Sequence, residues 1–174
     1  MTKTEIIKRL NEELESLQKT VVPLPPERFF QRPVLDKWSV AENIRHLVLA
    51  VRPLNLAFSL PGALLRLFGK PPHPGASFDD VVNRYQQKLR EGAKASLPYQ
   101  PARSFSVAKE KIIEELISTY QRFAEKVKNM PEENLDRYFL PHPILGRITL
   151  REMLYFTVYH VGHHHKAIRE RLST

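Results

Sequence analysis

The stretch TLREMLYFTVYHVGHHHKAIRERL, residues Thr149 to Leu172, combines an amphipathic pattern with four of the seven histidines of the chain. At about 100° per residue, its apolar side chains fall within one stripe about 100° wide. This pattern predicts a helix that packs one face against a core. The stripe consists of Leu150, Met153, Leu154, Thr157, Val161, Ile168 and Leu172.

The four histidines differ in where they lie around this helix. His164 falls about 40° from His160 and inside the stripe, while His160 lies on the edge of the stripe. His163 falls on the polar side together with Glu152, and His165 lies on the far flank, well away from His160. The helix therefore presents its histidines in three different directions.

A single metal ion can be held by two imidazoles one helical turn apart, and both i,i+3 and i,i+4 spacings provide this. Spacing alone leaves two pairs open, His160 with His163 and His160 with His164. Only His164 points with His160 toward the core. The amphipathic pattern therefore favours His160 and His164 as a metal-binding pair.

Length and composition are those of a globular protein. A chain of 174 residues fits a single domain, 1–174, with a proper core. The absence of cysteine excludes disulfides, thiolate ligands and a cysteine nucleophile. The first residues form an amphipathic pattern unlike a signal peptide, and the longest uncharged run, 53–65, is too short to span a bilayer. We therefore expect a cytoplasmic protein with no membrane partner.

The net charge of +8 raises the question of nucleic-acid binding. The basic residues are spread along the whole chain and alternate with acidic ones, as in KEKIIEEL, and no nucleic-acid-binding motif accompanies them. This pattern indicates a solvated basic surface. We expect no nucleic-acid partner.

Three further long amphipathic helices are predicted, over residues 4–20, from Ser39 to Phe58, and over 106–129. Capping boxes mark three helix starts, at Thr2 with Glu5, at Ser39 with Glu42 and at Thr149 with Glu152. No segment shows strand-like alternation. The sequence therefore predicts an all-α fold, a four-helix bundle, with a long crossover connection between the second and third helices.

The crossover, 60–103, is expected to carry one or two short extra helices, one of them starting at Ser77. Its apolar part could cover a pocket mouth or a subunit interface, although plain packing on the bundle is the default interpretation. His73 lies among prolines in this connection and is expected in solvent. His142, flanked by prolines in a later loop, is expected at the surface, with a pocket mouth as the alternative.

The second helix places His46 on the edge of its apolar stripe and Asn43 within the stripe. Buried polar groups need partners, because an unpaired one costs roughly 1–3 kcal/mol. Considered alone, His46 is interpreted as a core histidine bonded to a neighbour.

Three segments together, WSVAENIRHL, HPILGRITLREML and YHVGHHHKAI, resemble the DinB/YfiT-like superfamily of metal-binding four-helix bundles. The resemblance follows the order and spacing of the helices along nearly the whole chain. It implies that His46, His160 and His164 hold one divalent metal ion. We interpret Asn43 as a partner that orients His46, with a bond to a helix backbone as the alternative. Three neutral imidazoles suit zinc or nickel and leave a coordination position open.

The resemblance implies a metal-dependent enzyme that activates water or a low-molecular-weight thiol toward a small-molecule substrate. The activity would be that of a hydrolase or a thiol S-transferase, and transfer fits the family slightly better. The alternative is a non-catalytic, stress-associated metal-binding protein. In both cases we expect a homodimer. The sequence names no substrate and no catalytic acid or base.

Overall fold

The computed structural model describes residues 1–32, 37–69, 75–103 and 105–173. Four long helices form the bundle: α1 (Lys3–Val21), α3 (Val40–Ala57), α6 (Lys109–Asn129) and α8 (Leu150–Leu172). Four shorter helices connect them: α2 (Pro26–Phe30), α4 (Gly62–Leu65), α5 (Phe78–Arg90) and α7 (Asn134–Arg137). The all-α four-helix bundle predicted from the sequence is confirmed.

The starts of the long helices follow from local side-chain chemistry. The side chain of Ser39 accepts a hydrogen bond from the backbone of Glu42, whose carboxylate accepts from the Ser39 N–H in return. The same reciprocal capping begins α1 at Thr2 and α8 at Thr149. Each box satisfies backbone donors that have no partner within the helix.

The bundle packs α3 against α6 and α1 against α8, with α3 and α8 also in contact. Burial of apolar area is the main favourable term in this packing, at about 25 cal/mol per Å². The largest fully buried side chains include Tyr120, Phe29, Phe123, Ile44, Leu47 and Leu116. The contact between α3 and α8 brings together the two helices that carry the candidate ligands.

The crossover between α3 and α6 contains α4, α5 and two 3₁₀ turns at 66–68 and 97–99. It lies against the bundle, with α5 along α8 and the second turn along α3. The predicted crossover with short extra helices is confirmed. His73 lies outside the described residues.

A β-hairpin, β1 (Phe139–His142) and β2 (Gly146–Thr149), precedes α8, although the sequence shows no strand-like alternation there. His142 pairs with Gly146 across the hairpin, and Gly146 has a positive φ of 75°, which suits glycine in a short loop. Strands of four residues are too short to produce a clear alternating pattern. The hairpin positions His142 beside α8.

Within the described residues, no single helix is long and apolar enough to cross a membrane. One pair of segments, α3 and residues 62–68, meets the criteria of length and composition only when taken together, and the chain bends by 111° between them.

Candidate metal centre

Three histidine rings meet between α3 and α8. The Nε2 atom of His160 lies 3.1 Å from Nε2 of His46 and 3.1 Å from Nε2 of His164. All three side chains are buried. Within the described residues, this group alone joins three or more metal-ligating side chains with ligand atoms all within 4.8 Å. The sequence-predicted ligands are therefore neighbours in the fold.

Hydrogen bonds on the outer edge of two rings fix the protonation of those rings. His46 Nδ1 lies 2.6 Å from the carbonyl oxygen of Tyr99, which can only accept. His164 Nδ1 lies 2.7 Å from Oδ1 of Asn43, and the amide nitrogen of Asn43 donates to the carbonyl oxygen of Ser39 at 2.8 Å. Each Nδ1 must therefore carry the proton. In the neutral rings, both Nε2 atoms carry lone pairs that face His160.

The convergence of these lone pairs fits a cation. One proton on Nε2 of His160 could satisfy only one of its two contacts, so two nitrogen lone pairs would still face each other at 3.1 Å. A metal ion with Zn–N distances of about 2.0–2.1 Å and tetrahedral angles keeps its nitrogen ligands about 3.3 Å apart. The donor set and the spacing of the three rings therefore suit a divalent ion.

Burial keeps these rings in the neutral form that binds metals. Desolvation lowers the pKa of His160 and of His164 well below the usual value, and neighbouring histidines lower both further. Burial also lowers the pKa of His46, partly opposed by its bond to the Tyr99 carbonyl. Neutral imidazoles are available without the loss of a proton at neutral pH.

Aromatic rings enclose the three histidines. The Trp38 ring lies 4.9 Å from the His46 ring and is nearly parallel to the His164 ring at 6.0 Å. Phe156, one turn before His160 on α8, stacks on the His160 ring at 4.8 Å. These contacts fix the ring planes and reduce the access of water.

A cavity of about 320 Å³ opens beside the cluster, with His46 and His160 in its wall. Most of the wall is apolar, with contributions from α3, the crossover, the hairpin and α8. No Asp, Glu, Lys or Arg is among the described residues that line it. The neutral polar side chains of the wall include Tyr85, whose pKa burial raises to about 12, and His142.

The partner of Asn43 differs from the one expected. Asn43 was expected to orient His46, but its amide oxygen contacts His164, and the carbonyl of the crossover residue Tyr99 lies beside His46 instead. The alternative, a bond to a helix backbone, is present as well, because the Asn43 amide nitrogen donates to the Ser39 carbonyl. Asn43 lies one turn before His46 on α3 and reaches across to α8. A backbone carbonyl such as that of Tyr99 leaves no signal in the side-chain pattern.

Three other expectations for the α8 region need correction. Glu152, expected on the polar side, is fully buried, because it caps α8 and bonds to Arg84 of α5 at 2.8 Å. His165, expected on the far flank, is buried and lies 2.8 Å from Thr20 of α1. His142, expected at the surface, is buried in the cavity wall, so the pocket-mouth alternative is the one that agrees with the structure. His163 is partly exposed, as its position on the polar side predicted.

The fold and the cluster define a four-helix-bundle protein with a candidate three-histidine metal centre. The family model of the DinB superfamily matches residues 9–168, and the chain belongs to that superfamily. The resemblance noted from the sequence is thereby confirmed. No curated protein sequence matches the chain at a significant level.

Two solved structures share the fold. YfiT from Bacillus subtilis, described as a probable metal-dependent hydrolase with an unusual four-helix bundle topology, aligns with a TM-score of 0.61 at 18% identity. That alignment covers 97% of this chain and 85% of the other. TT2238, described as a four-helix bundle protein, aligns with a TM-score of 0.59 at 16% identity over 97% and 99% of the two chains. At these identities the likeness shows the fold.

Proposed function

We propose that this protein is a divalent-metal-dependent enzyme that activates a small nucleophile at His46, His160 and His164. The observation that carries the proposal is the convergence of three Nε2 atoms beside an open cavity, with two of the rings held by acceptors at Nδ1. Catalytic zinc sites use three protein ligands and leave a position for water or substrate. Imidazole ligands suit both zinc and nickel, and we propose one of these two metals.

When bound, such an ion would lower the pKa of a water or thiol and polarise a carbonyl of the substrate. The protein contributes the orientation of its ligands, since Asn43 and the Tyr99 carbonyl hold His164 and His46 with their lone pairs inward. All three ligands are neutral, so the positive charge of an ion remains uncompensated by the protein. This charge favours an anionic nucleophile.

Hydrolysis of an uncharged substrate is the first candidate reaction. The described cavity wall contains no charged side chain that could pair with the amino and carboxylate groups that cysteine-derived thiols carry. The description of YfiT as a probable metal-dependent hydrolase supports the same choice. Thiol S-transfer, which the sequence resemblance favoured, is the second candidate and requires a thiol that enters such an apolar cavity.

The non-catalytic alternative has its own structural basis. An ion at the cluster would link α3 to α8, because His46 lies on one helix and His160 and His164 on the other. A protein with this role would lose stability when the metal is removed, yet show no turnover. The open cavity favours the enzyme, because a purely structural site needs no space for a substrate.

The test is an activity assay on chelated protein restored with zinc or nickel. Neutral nitrophenyl esters of increasing chain length report hydrolysis, and chlorodinitrobenzene with a small thiol reports transfer. We expect ester hydrolysis that is lost on chelation, returns with the ion, and is absent in His46→Ala. His163→Ala, a change of a neighbouring histidine outside the cluster, serves as the matched control and should retain activity. Metal binding without turnover on either substrate class would favour the scaffold.

A further inference from the structure

One ring nitrogen of His142 accepts hydrogen bonds, while the other has no partner among the described residues. It ends β1, and its Nδ1 accepts hydrogen bonds from the backbone N–H groups of Ile144 at 3.1 Å and Leu145 at 3.0 Å. Because Nδ1 accepts, the neutral ring must carry its proton on Nε2. No residue in the described part of the chain accepts a hydrogen bond from this Nε2–H.

The ring that carries the free donor lies in the wall of the cavity beside the three-histidine cluster. His142 is 8% exposed and is part of the cavity wall. Its ring packs edge-on against Phe156 at 4.3 Å, and Phe156 in turn stacks on His160 at 4.8 Å. Burial lowers the pKa of His142 to about 4, so the ring is neutral near pH 7 and offers one hydrogen.

The rest of the wall limits what can occupy the cavity. Its described residues include no charged side chain, and the hydroxyl of Thr157 already donates to the carbonyl oxygen of Met153 at 2.8 Å. Burial of an unpaired charge is strongly unfavourable in such surroundings. The volume of about 320 Å³ is at the small end of ligand pockets, which span about 300–1,000 Å³. A small, uncharged and largely apolar molecule matches this space.

We propose that the cavity binds a small uncharged, largely apolar molecule with one hydrogen-bond acceptor, and that His142 recognises this acceptor through its Nε2–H. That the molecule is a substrate rests on the proposed function; that it binds does not. His142 is thereby a specificity-determining residue of the site. It selects a carbonyl-like group over a hydrocarbon of the same shape, while the wall rejects charged analogues.

Ligand binding is measured by displacement of the neutral fluorophore N-phenyl-naphthylamine from full-length protein freed of metal by chelation, because a bound cation would itself attract benzoate. Four competitors of similar size separate the effect of a hydrogen-bond acceptor from the effect of charge: acetophenone, isopropylbenzene, benzoate and phenethylammonium. We expect acetophenone to bind most tightly, isopropylbenzene more weakly, and the two ions least. Benzoate or phenethylammonium binding as tightly as acetophenone would overturn the proposal, as would a wild-type protein that binds none of the four.

Two substitutions separate the donor from the role of His142 in the turn. In His142→Asn, Oδ1 lies the same number of bonds from Cα as Nδ1 and can accept the same backbone N–H bond, but the donor at Nε2 is lost. In His142→Gln, the amide nitrogen lies the same number of bonds from Cα as Nε2 and keeps a donor, but the turn acceptor is lost. The Asn variant therefore keeps the acceptor for the turn and loses the donor, whereas the Gln variant keeps the donor and loses the acceptor.

We expect His142→Asn to weaken acetophenone binding about three- to tenfold, the effect of one hydrogen bond, with isopropylbenzene unchanged. His142→Gln should keep the preference for acetophenone. If the Asn variant keeps the preference and the Gln variant loses it, His142 serves the turn alone and the proposal is wrong. Thermal unfolding shows whether each variant folds. If a variant does not fold, the four competitors on wild-type protein still test the proposal.

A cavity-filling pair checks that the competitors bind in this cavity. Ala57 lines the cavity on α3, whereas the exposed Ala63 of α4 does not. We expect Ala57→Phe to reduce the binding of all neutral competitors and Ala63→Phe to leave it unchanged. Equal effects of the two changes would contradict the assignment of the site.

The neutral competitors, measured on zinc-loaded as well as on chelated protein, separate this proposal from the proposed function. Failure of the metal to bind, with acetophenone preference intact, would refute the metal-dependent enzyme and leave the role of His142 standing. Metal-dependent ester hydrolysis that does not respond to His142→Asn, together with unchanged acetophenone binding, would refute only the role of His142.

Discussion

The Oδ1 atom of Asn43 lies 2.7 Å from Nδ1 of His164, across the contact between α3 and α8. The amide nitrogen of Asn43 is held by the carbonyl oxygen of Ser39, so the oxygen has to face His164. One side chain thereby sets the tautomer of a candidate ligand that lies 121 residues away in the sequence. The bond links the start of α3 to the part of α8 that carries the candidate ligands His160 and His164.

Replacement of Asn43 by Ala should weaken zinc binding about 10- to 100-fold, because His164 loses the acceptor that orients its ring. Asn43→Asp should retain most of the affinity, since a carboxylate also accepts the Nδ1–H. Competition with a chromogenic chelator measures the dissociation constant. Asn55→Ala is the matched control, because Asn55 lies on the same helix and bonds to the Thr119 carbonyl of α6, away from the cluster. Equal losses in Asn43→Ala and Asn55→Ala would contradict the role of Asn43.

The metal-free protein should become less stable as the pH falls below about 6.5. Burial lowers the pKa of His142 from 6.5 in the unfolded chain to about 4 in the fold. Between these values the unfolded state binds more protons than the folded state, so the free energy of unfolding decreases with falling pH. The slope is about 1.4 kcal/mol per pH unit for each histidine that stays neutral. The buried His46, His160 and His164 contribute in the same direction.

Urea unfolding of chelated protein at several pH values between about 7 and about 5 measures this dependence. His142→Asn removes one titrating group and should reduce the slope by about the contribution of one proton. An unchanged slope in this variant would show that His142 titrates normally in the folded protein.

Glu152 should be among the most sensitive positions for stability. It is fully buried, accepts from the backbone N–H of Thr149 at 2.7 Å, and pairs with Arg84 at 2.8 Å. Its removal leaves both donors without this acceptor, for which we expect a loss of about 3 kcal/mol in Glu152→Ala. Glu170→Ala, at an exposed position of the same helix, should change stability by less than about 0.5 kcal/mol. Urea unfolding at neutral pH compares the two, and similar losses would contradict the importance of the buried carboxylate.

Local chemistry made much of the fold predictable. The capping boxes that begin α1, α3 and α8 each depend on two residues three positions apart, and all three form as predicted. The stripe of α8 is buried as predicted, except that Leu172 is only partly buried. The inward direction of His160 and His164 follows from the same periodicity.

The side chains whose burial was not predicted lie where a helix packs against several neighbours. A helical wheel assumes one buried face, but α8 packs against α1, α3, α5 and the hairpin. Glu152 and His165 are therefore buried on sides that the apolar stripe does not mark. The contacts of Tyr99 and His142 with the site come from the crossover and a short hairpin, whose positions no local pattern specifies. The expected homodimer and the expected cytoplasmic location stay predictions.

His46, His160 and His164 are proposed to hold one divalent ion together. Elemental analysis of tag-free protein, loaded with zinc or nickel and dialysed, measures the stoichiometry directly in wild type and in single alanine variants. We expect about one ion per chain in wild type, His163→Ala and His165→Ala, and loss of the ion in His46→Ala, His160→Ala and His164→Ala. Retention of a stoichiometric ion in His46→Ala, or its loss in His163→Ala, would contradict the three-histidine site.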